Sequence, residues 1–411
     1  MVIPTILKED LPMADRRVLL ELLNRYNNFY LYEESVILEA AGRLKANFPG
    51  AQFLYSMKCN PAGRVLDAVF SQGFGTDAAS LGEVIAAGEH GVPADLIYFS
   101  APGRTEADLR SAWGRCVLIA DSLHELDMIR KIAAENGETP EIGVRINPDF
   151  TFAADSGVPG KFGVDEEALW SADLTGVKLV GIHVHAKSQE LSAAVLAHYY
   201  ENMFALIGRV QEHLGVTLRF ANFGSGLGIP FAPGEEPLDV EALGSRFQAM
   251  LAECQTAYPG LQILIETGRY VSGKSGTYVA KVLDKKVSHG KTFLILNGTL
   301  NAFARPAVAQ MVRGFTDHPF PYEPIFTHVD ASALLPLTDN QDTEVVTLAG
   351  NLCTSADIIA KDVSLPRMEI GDGLALDNAG CYAAVMTPMQ FAFMAQPAQL
   401  FLTQDGRVLK A

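Results

Sequence analysis

From residue 50 to about residue 270 the chain repeats one rhythm, and that rhythm limits the folds open to it more than any other feature. Eight short apolar runs read as buried strands: Gln52–Lys58, Gly75–Ser80, Leu96–Ala101, Cys116–Asp121, Glu141–Asn147, Lys178–Ala186, Leu218–Gly224 and Leu261–Gly268. Between most of them lie amphipathic stretches. Ser122–Asn136, for instance, carries apolar residues at Leu123, Leu126, Ile129 and Ile132–Ala133, on one helical face. Short continuous strands that alternate with helices specify βα units and a parallel sheet. Eight of them predict an α/β chain built on a closed (β/α)8 barrel, a TIM barrel, rather than an open doubly wound sheet.

After Arg269 the rhythm changes. Thr277–Val287, Thr292–Asn297, Glu344–Ala349, Gly373–Leu376 and Leu400–Thr403 are strand-like, and long helical patterns largely vanish. The expectation is a barrel over residues 35–275 and a C-terminal, mostly-β domain (a β-barrel or sandwich) over 276–411, to which residues 1–34 return. With 411 residues the chain is in any case too long for one ordinary core.

Composition removes several function classes. Hydrophobic residues make up 48% and charged residues 19%, the balance of a soluble globular enzyme. No run of about 20 apolar residues is present to span a bilayer. The N-terminal MVIPTILKEDLP has acidic residues where a signal peptide needs a basic region and a long apolar one, so a cytoplasmic protein is expected. Cys59, Cys116, Cys254, Cys353 and Cys381 are scattered with no CxxC pair, which reads as reduced thiols rather than a disulfide framework or structural zinc. A net charge of −16 repels nucleic acid and anionic membrane at long range. A small anionic substrate stays possible, because local basic groups decide that.

In a (β/α)8 enzyme the chemistry sits at the C-terminal ends of the strands. Unusual polar residues gather at those ends here: Lys58, Asp77 and Ser80, Arg145 and Asn147, His183 and His185, the Gly224–Ser225–Gly226 turn, and Glu266 with Arg269. Lys58 closes an apolar strand in YSMKCNP, where partial desolvation suits Schiff-base chemistry; a lysine that snorkels into solvent is the ordinary alternative. His183 and His185 flank Val184 and so share a face of one strand. That pair suits a metal site, a ring stacked on a planar ligand, or satisfied core histidines. GSGLG is a strand-to-helix glycine turn that can bind phosphate through backbone N–H groups, or be a purely structural loop. It is not a dinucleotide fingerprint, since the third glycine of that pattern would fall at Ile229. A carboxylate buried at the end of LQILIE needs a partner, and Glu266 has either its neighbour Arg269 or a protonated heterocycle.

Taken in order, these segments resemble the barrel-type pyridoxal-phosphate (PLP) decarboxylases of fold type III, the group containing diaminopimelate and ornithine decarboxylases. The resemblance covers roughly residues 25 to 395. YSMKCN is similar to the family's cofactor-lysine motif, which implies that Lys58 carries the cofactor. HVHAKSQ resembles its His-x-Gly-Ser-Gln strand, implying that His185 stacks on the pyridine ring and Ser188 contacts phosphate. FGSGLGI resembles the triple-glycine turn and places Gly224, Ser225 and Gly226 at the phosphate. ETGR resembles Glu-Pro-Gly-Arg: Glu266 would hold the pyridine nitrogen protonated and Arg269 would approach the phosphate. Asp77 joins the implied cofactor shell. LCTSAD is similar to the Cys-x-x-x-Asp motif that reaches a partner subunit's active site, which implies a homodimer with shared sites, Cys353 as proton donor and Asp357 near the substrate. GCY resembles Gly-Ala-Tyr, with Tyr382 near the phosphate.

The departures bear on the substrate. Lys187 stands beside Ala186 where the family has glycine after the stacking histidine, Ser225 replaces the middle glycine of the turn, and Thr267 replaces proline. Thr354 occupies a position where diaminopimelate decarboxylases usually carry a glutamate for the distal ammonium, which disfavours that substrate. Yet NAFARPA resembles the segment that sets an arginine against the distal carboxylate, so Arg305 points to a remote carboxylate held by a charge-assisted contact. The resemblance therefore implies an amino-acid decarboxylase acting on a conjugate, as in siderophore or antibiotic assembly on citryl-diamino acids. Diaminopimelate decarboxylation is the nearest alternative. A metal-dependent barrel hydrolase using His183 and His185, and an inactive homologue that binds a partner protein, are the readings from other classes.

Overall fold

The computed structural model describes residues 15–152, 154–224, 226–231, 234–313 and 334–411. The chain divides into two compact units, one formed by Leu38–Gly228 and Pro237–Tyr270, the other by Met1–Ile37, Ile229–Glu236 and Val271–Ala411. The division falls a few residues from the expected limits at 35 and 275, because Val271–Ser275 run directly into a long strand of the second unit. The return of Ile229–Glu236 to that unit is not part of the expectation.

Strand β1 (Asn28–Glu33) belongs to the second unit. The first unit holds β2 (Ala51–Ser56), β3 (Gly75–Ala78), β4 (Ile97–Phe99), β5 (Val117–Ala120), β6 (Glu141–Asn147), the short β7 (Val164–Asp165), β8 (Lys178–His183), β9 (Phe220–Asn222) and β10 (Gln262–Thr267). Neighbours pair in parallel in the order β5-β4-β3-β2-β10-β9-β8-β6, and β5 also pairs with β6, so the sheet closes into the expected barrel of eight parallel strands. β7 pairs with β6 outside the ring.

Helices follow most strands, and the sequence marks their ends. Ser80, Ser122, Ser192 and Asp239 each accept a backbone N–H from the first turn of the helix they precede, which satisfies an otherwise orphaned donor. Gly137 and Gly215 close helices Leu123–Asn136 and Ala193–Leu214 in the left-handed conformation. The barrel interior is filled rather than open: Leu54, Tyr98, Ile119, Val180, Phe220 and Leu264 form its apolar cluster. Phe220 fits because Gly181 has no side chain, where an added Cβ would lie 2.0 Å from the ring.

The second unit is a nine-stranded sheet. To β1 it adds β11 (Gly276–Ser288), β12 (Lys291–Leu296), β13 (Leu334–Leu337), β14 (Thr343–Gly350), β15 (Ile358–Pro366), β16 (Gly373–Leu376), β17 (Ala398–Leu402) and β18 (Val408–Lys410). The path β15-β14-β12-β11-β1-β17-β18 runs through it, with β16 pairing β11 and β13. Its core gathers Leu19, Leu22 and Leu23 of helix Arg16–Leu23 against Phe29, Leu31, Val279, Ala375 and Leu400.

Candidate active site

The barrel strands end in a ring of polar side chains. Lys58 is not on a strand: β2 stops at Ser56, and Met57–Cys59 form a single 3-10 turn in which Asn60 N–H donates to Met57 O at 3.1 Å. Pro61 follows and bars a return to the strand ladder. The turn sets the Lys58 ammonium 2.5 Å from Oδ2 of Asp77 on the adjacent β3, with the Ser56 hydroxyl 3.4 Å from the same oxygen.

Across the ring, Glu266 lies near the end of β10 and is 1% exposed. Its Oε1 accepts from Asn222 Nδ2 at 2.8 Å and lies 2.9 Å from His183 Nε2. Its Oε2 lies 3.3 Å from Nδ1 of His185. His183 is the last residue of β8, and its Nδ1 is 3.0 Å from the Ser100 hydroxyl. Burial by itself would push the Glu266 carboxyl up; the charge of His183 and hydrogen bonding from both histidines outweigh it and hold the group well below the usual carboxylate range. The buried glutamate is therefore held as an anion, and its partners are His183 at the end of β8 and His185 just beyond it.

The HxH pair converges on a carboxylate, not on an ion site; among the described residues, no group of three or more His, Cys, Asp or Glu is placed to hold a metal ion. Asn222 and Ser100 complete this network and were not singled out from sequence. Each closes or follows a short apolar strand, the only sequence signal they carry.

Gly224 and Gly226 follow β9, and Ser225 between them lies outside the described residues. Gly224 has φ +62, donates its N–H to Asn222 Oδ1 at 2.9 Å and accepts from Glu266 N–H at 2.7 Å. An added Cβ there would sit 2.4 Å from Val184 O, and one at Gly226 (φ +109) 2.8 Å from Leu196 Cδ2. The turn is thus a bare-backbone cradle tied directly to the Glu266 strand. Ser188 is exposed beyond β8, and Arg269 is buried at the start of helix Arg269–Ser272. Between β6 and β8, Phe152 stacks on Tyr199 at 4.3 Å and the Arg145 guanidinium lies 4.3 Å from the Phe162 ring.

The remaining candidates belong to the β-rich unit. Arg305 is buried, donates to the carbonyls of Asn378 at 3.1 Å and Cys381 at 2.7 Å, and lies about equally close to the Phe231 and Phe303 rings. Tyr382 follows Cys381 at φ +48, a left-handed backbone that a tyrosine rarely adopts. Cys353 is exposed on the β14–β15 connection and Thr354 half-buried beside it. Asp357 is 2% exposed, and its carboxylate accepts the Thr299 hydroxyl and the N–H groups of Leu300 and Leu352, each of the latter at 3.0 Å. Its side chain is thus engaged by its own loops.

Residues 34–273, more than half of the chain, match the family described as pyridoxal-dependent decarboxylase, pyridoxal binding domain. The chain belongs to the pyridoxal-dependent decarboxylases. It is 30% identical over 409 residues to the L-glutamyl-(BtrI acyl-carrier protein) decarboxylase of Niallia circulans, covering 95% of this chain and 92% of that one. It is 27% identical to the 2-((L-alanin-3-ylcarbamoyl)methyl)-2-hydroxybutanedioate decarboxylase of Staphylococcus aureus, over 91% and 94% of the two chains. The crystal structure of diaminopimelate decarboxylase from Helicobacter pylori, complexed with L-lysine, superposes with a TM-score of 0.79 at 26% identity over 95% of each chain. As a pyridoxal-dependent decarboxylase, the chain takes pyridoxal phosphate as its cofactor. The residues fit that group: a buried anion suits a protonated ring nitrogen, the glycine cradle suits a phosphate, and a lysine stands at the same end of the barrel.

Proposed function

We propose that this pyridoxal-dependent decarboxylase acts on an amino-acid conjugate bearing a distal carboxylate, of the citryl-diamino acid type. The observation that carries the decarboxylase chemistry is the buried Glu266 carboxyl group, set against His183, His185 and Asn222 at the strand ends. When bound, pyridoxal phosphate supplies the electron sink for the carbanion left by loss of CO2. Lys58 holds the cofactor covalently, and Asp77 orients the lysine. Glu266 keeps a proton on the ring nitrogen, while His185 packs against the ring. Gly224, Ser225 and Gly226 receive the phosphate through backbone N–H groups, with Ser188 and Arg269 completing its contacts. Cys353 returns a proton to Cα after CO2 has left.

Arg305 and Thr354 support the substrate class. A buried guanidinium fixed by two carbonyls is a rigid partner for a carboxylate. Thr354 is neutral and offers no charge to a distal ammonium. The name of the Staphylococcus aureus relative describes a substrate rich in carboxylates. Diaminopimelate decarboxylation is the second reading, favoured by the Helicobacter pylori structure. The Asp357 loop and Cys353 act in a homodimer with shared sites, in the cytoplasm, where the five free cysteines stay reduced.

The test has two arms. Purified protein with pyridoxal phosphate should show a visible band that borohydride bleaches, leaving the label on the Lys58 peptide; a colourless protein would remove the reading. CO2 release should then be faster from a citryl-diamino acid than from meso-diaminopimelate. The reverse order would move the substrate to the second reading.

A further inference from the structure

His183 is the member of the HVH pair to which the proposed chemistry gives no task. It is 2% exposed and sits between two groups: Ser100 Oγ lies 3.0 Å from Nδ1, and Glu266 Oε1 lies 2.9 Å from Nε2. Asn222 Nδ2 donates to the same Oε1 at 2.8 Å. Oε2 instead faces His185, whose side chain is 27% exposed.

A glutamate's last torsion is soft and nearly two-fold, so burial alone does not fix the plane of its carboxylate. Two groups at one oxygen do, because rotating the plane would separate both from Oε1. With the Ser100 hydroxyl as the donor to Nδ1, the ring proton would stand on Nε2, the nitrogen 2.9 Å from Glu266 Oε1. We infer that His183 is a positioning residue, which with Ser100 behind it fixes the Glu266 carboxylate so that Oε2, on the His185 side, is the oxygen offered to the cofactor's ring nitrogen. This rests on the proposed role of Glu266.

The alternative is a core histidine that only fills space, and His183→Leu against His183→Gln separates the two. Leucine keeps bulk and removes the donor, whereas glutamine can return an N–H near the Nε2 position. Visible-absorbance titration of the apoprotein with pyridoxal phosphate is the readout, with kcat and KM measured alongside. His183→Leu should weaken cofactor binding about tenfold or more, the size usual for losing an outer support of a directly acting group. It should also shift the bound-cofactor band and lower kcat with KM near wild type. His183→Gln should recover most of each, and Ser100→Ala should move them in the same direction as His183→Leu by less. A folded His183→Leu with wild-type affinity and spectrum overturns the inference, as does a His183→Gln no better than leucine. If leucine prevents folding, a Ser100→Ala protein with an unaltered band overturns it. Glu266→Gln separates the two levels. If it leaves affinity and spectrum unchanged, the role of Glu266 and the inference fall together; if it perturbs both while His183→Leu does not, only the inference falls.

Discussion

The Lys58 ammonium stands 2.5 Å from Asp77 Oδ2, a lysine side chain 39% exposed set against a carboxylate 4% exposed. The buried partner therefore directs the mobile one. Asp77→Asn should keep the borohydride-reducible linkage at Lys58 and lower kcat about tenfold, the equivalent of some 1.4 kcal/mol of lost orientation. Peptide mapping and steady-state kinetics check it; wild-type kcat would contradict it.

Glu266 gives a pH signature. Its folded value is depressed, so its contribution to stability is complete above the ordinary carboxylate value of about 4.3 and is lost as pH falls toward the folded value. The stability gap between wild type and Glu266→Gln should be constant from about pH 6 down to about 4.3 and then narrow with further acid. Calorimetric scans of both proteins test this, and a gap that widens in acid would reverse the sign.

Gly224→Ala adds a Cβ at positive φ against a carbonyl 2.4 Å away. The left-handed backbone costs a non-glycine residue about 1–2 kcal/mol, and the clash adds to it. Denaturant unfolding should fall by at least that much, and cofactor affinity should drop, since the cradle is hydrogen-bonded to the Glu266 strand.

Asp357→Ala removes the acceptor of two backbone N–H groups and one hydroxyl. Buried groups left unsatisfied cost about 1–3 kcal/mol each, so a loss of about 3 kcal/mol is expected. Alkylation of Cys353 should quicken as the β14–β15 connection loosens. An unchanged melting temperature and alkylation rate would deny Asp357 this bracing role.

Cys353→Ala and Lys58→Ala should each be inactive, with Cys353→Ala keeping its cofactor band. Removing the proton donor should lower kcat by about 100-fold or more. Mixing the two variants should restore part of the activity if one subunit's Cys353 serves the other's Lys58. No recovery after demonstrated subunit exchange would exclude shared sites.

The barrel was legible because parallel strands covered on both faces are continuous apolar runs, as ILIE and VGIH are. The second sheet was only partly legible. β13 contains Pro336, tolerated because among the described residues the strand pairs on one side alone, and β15 carries Lys361 and a positive-φ Asp362 in mid-strand. Near the site, Glu266 and the two histidines stood out as polar ends of apolar strands. Ser100 and Asn222 did not, because what distinguishes them is convergence of β4, β8, β9 and β10, which no local pattern records. Lys58 was expected to close its strand, whereas β2 stops at Ser56 and Lys58 lies in the 3-10 turn that follows, which apolar runs alone do not mark.

β1 pairs with β11 on one side and with β17 on the other, so that Phe29 lies opposite both Val279 and Ala398. During synthesis the ribosome releases β1 long before either partner. All eight barrel strands emerge in the interval, and the barrel can close while β1 still waits for its neighbours. Removing a few residues from β17 should therefore spare barrel formation in the nascent chain and leave β1 as an exposed adhesive edge, the kind of surface that chaperones hold.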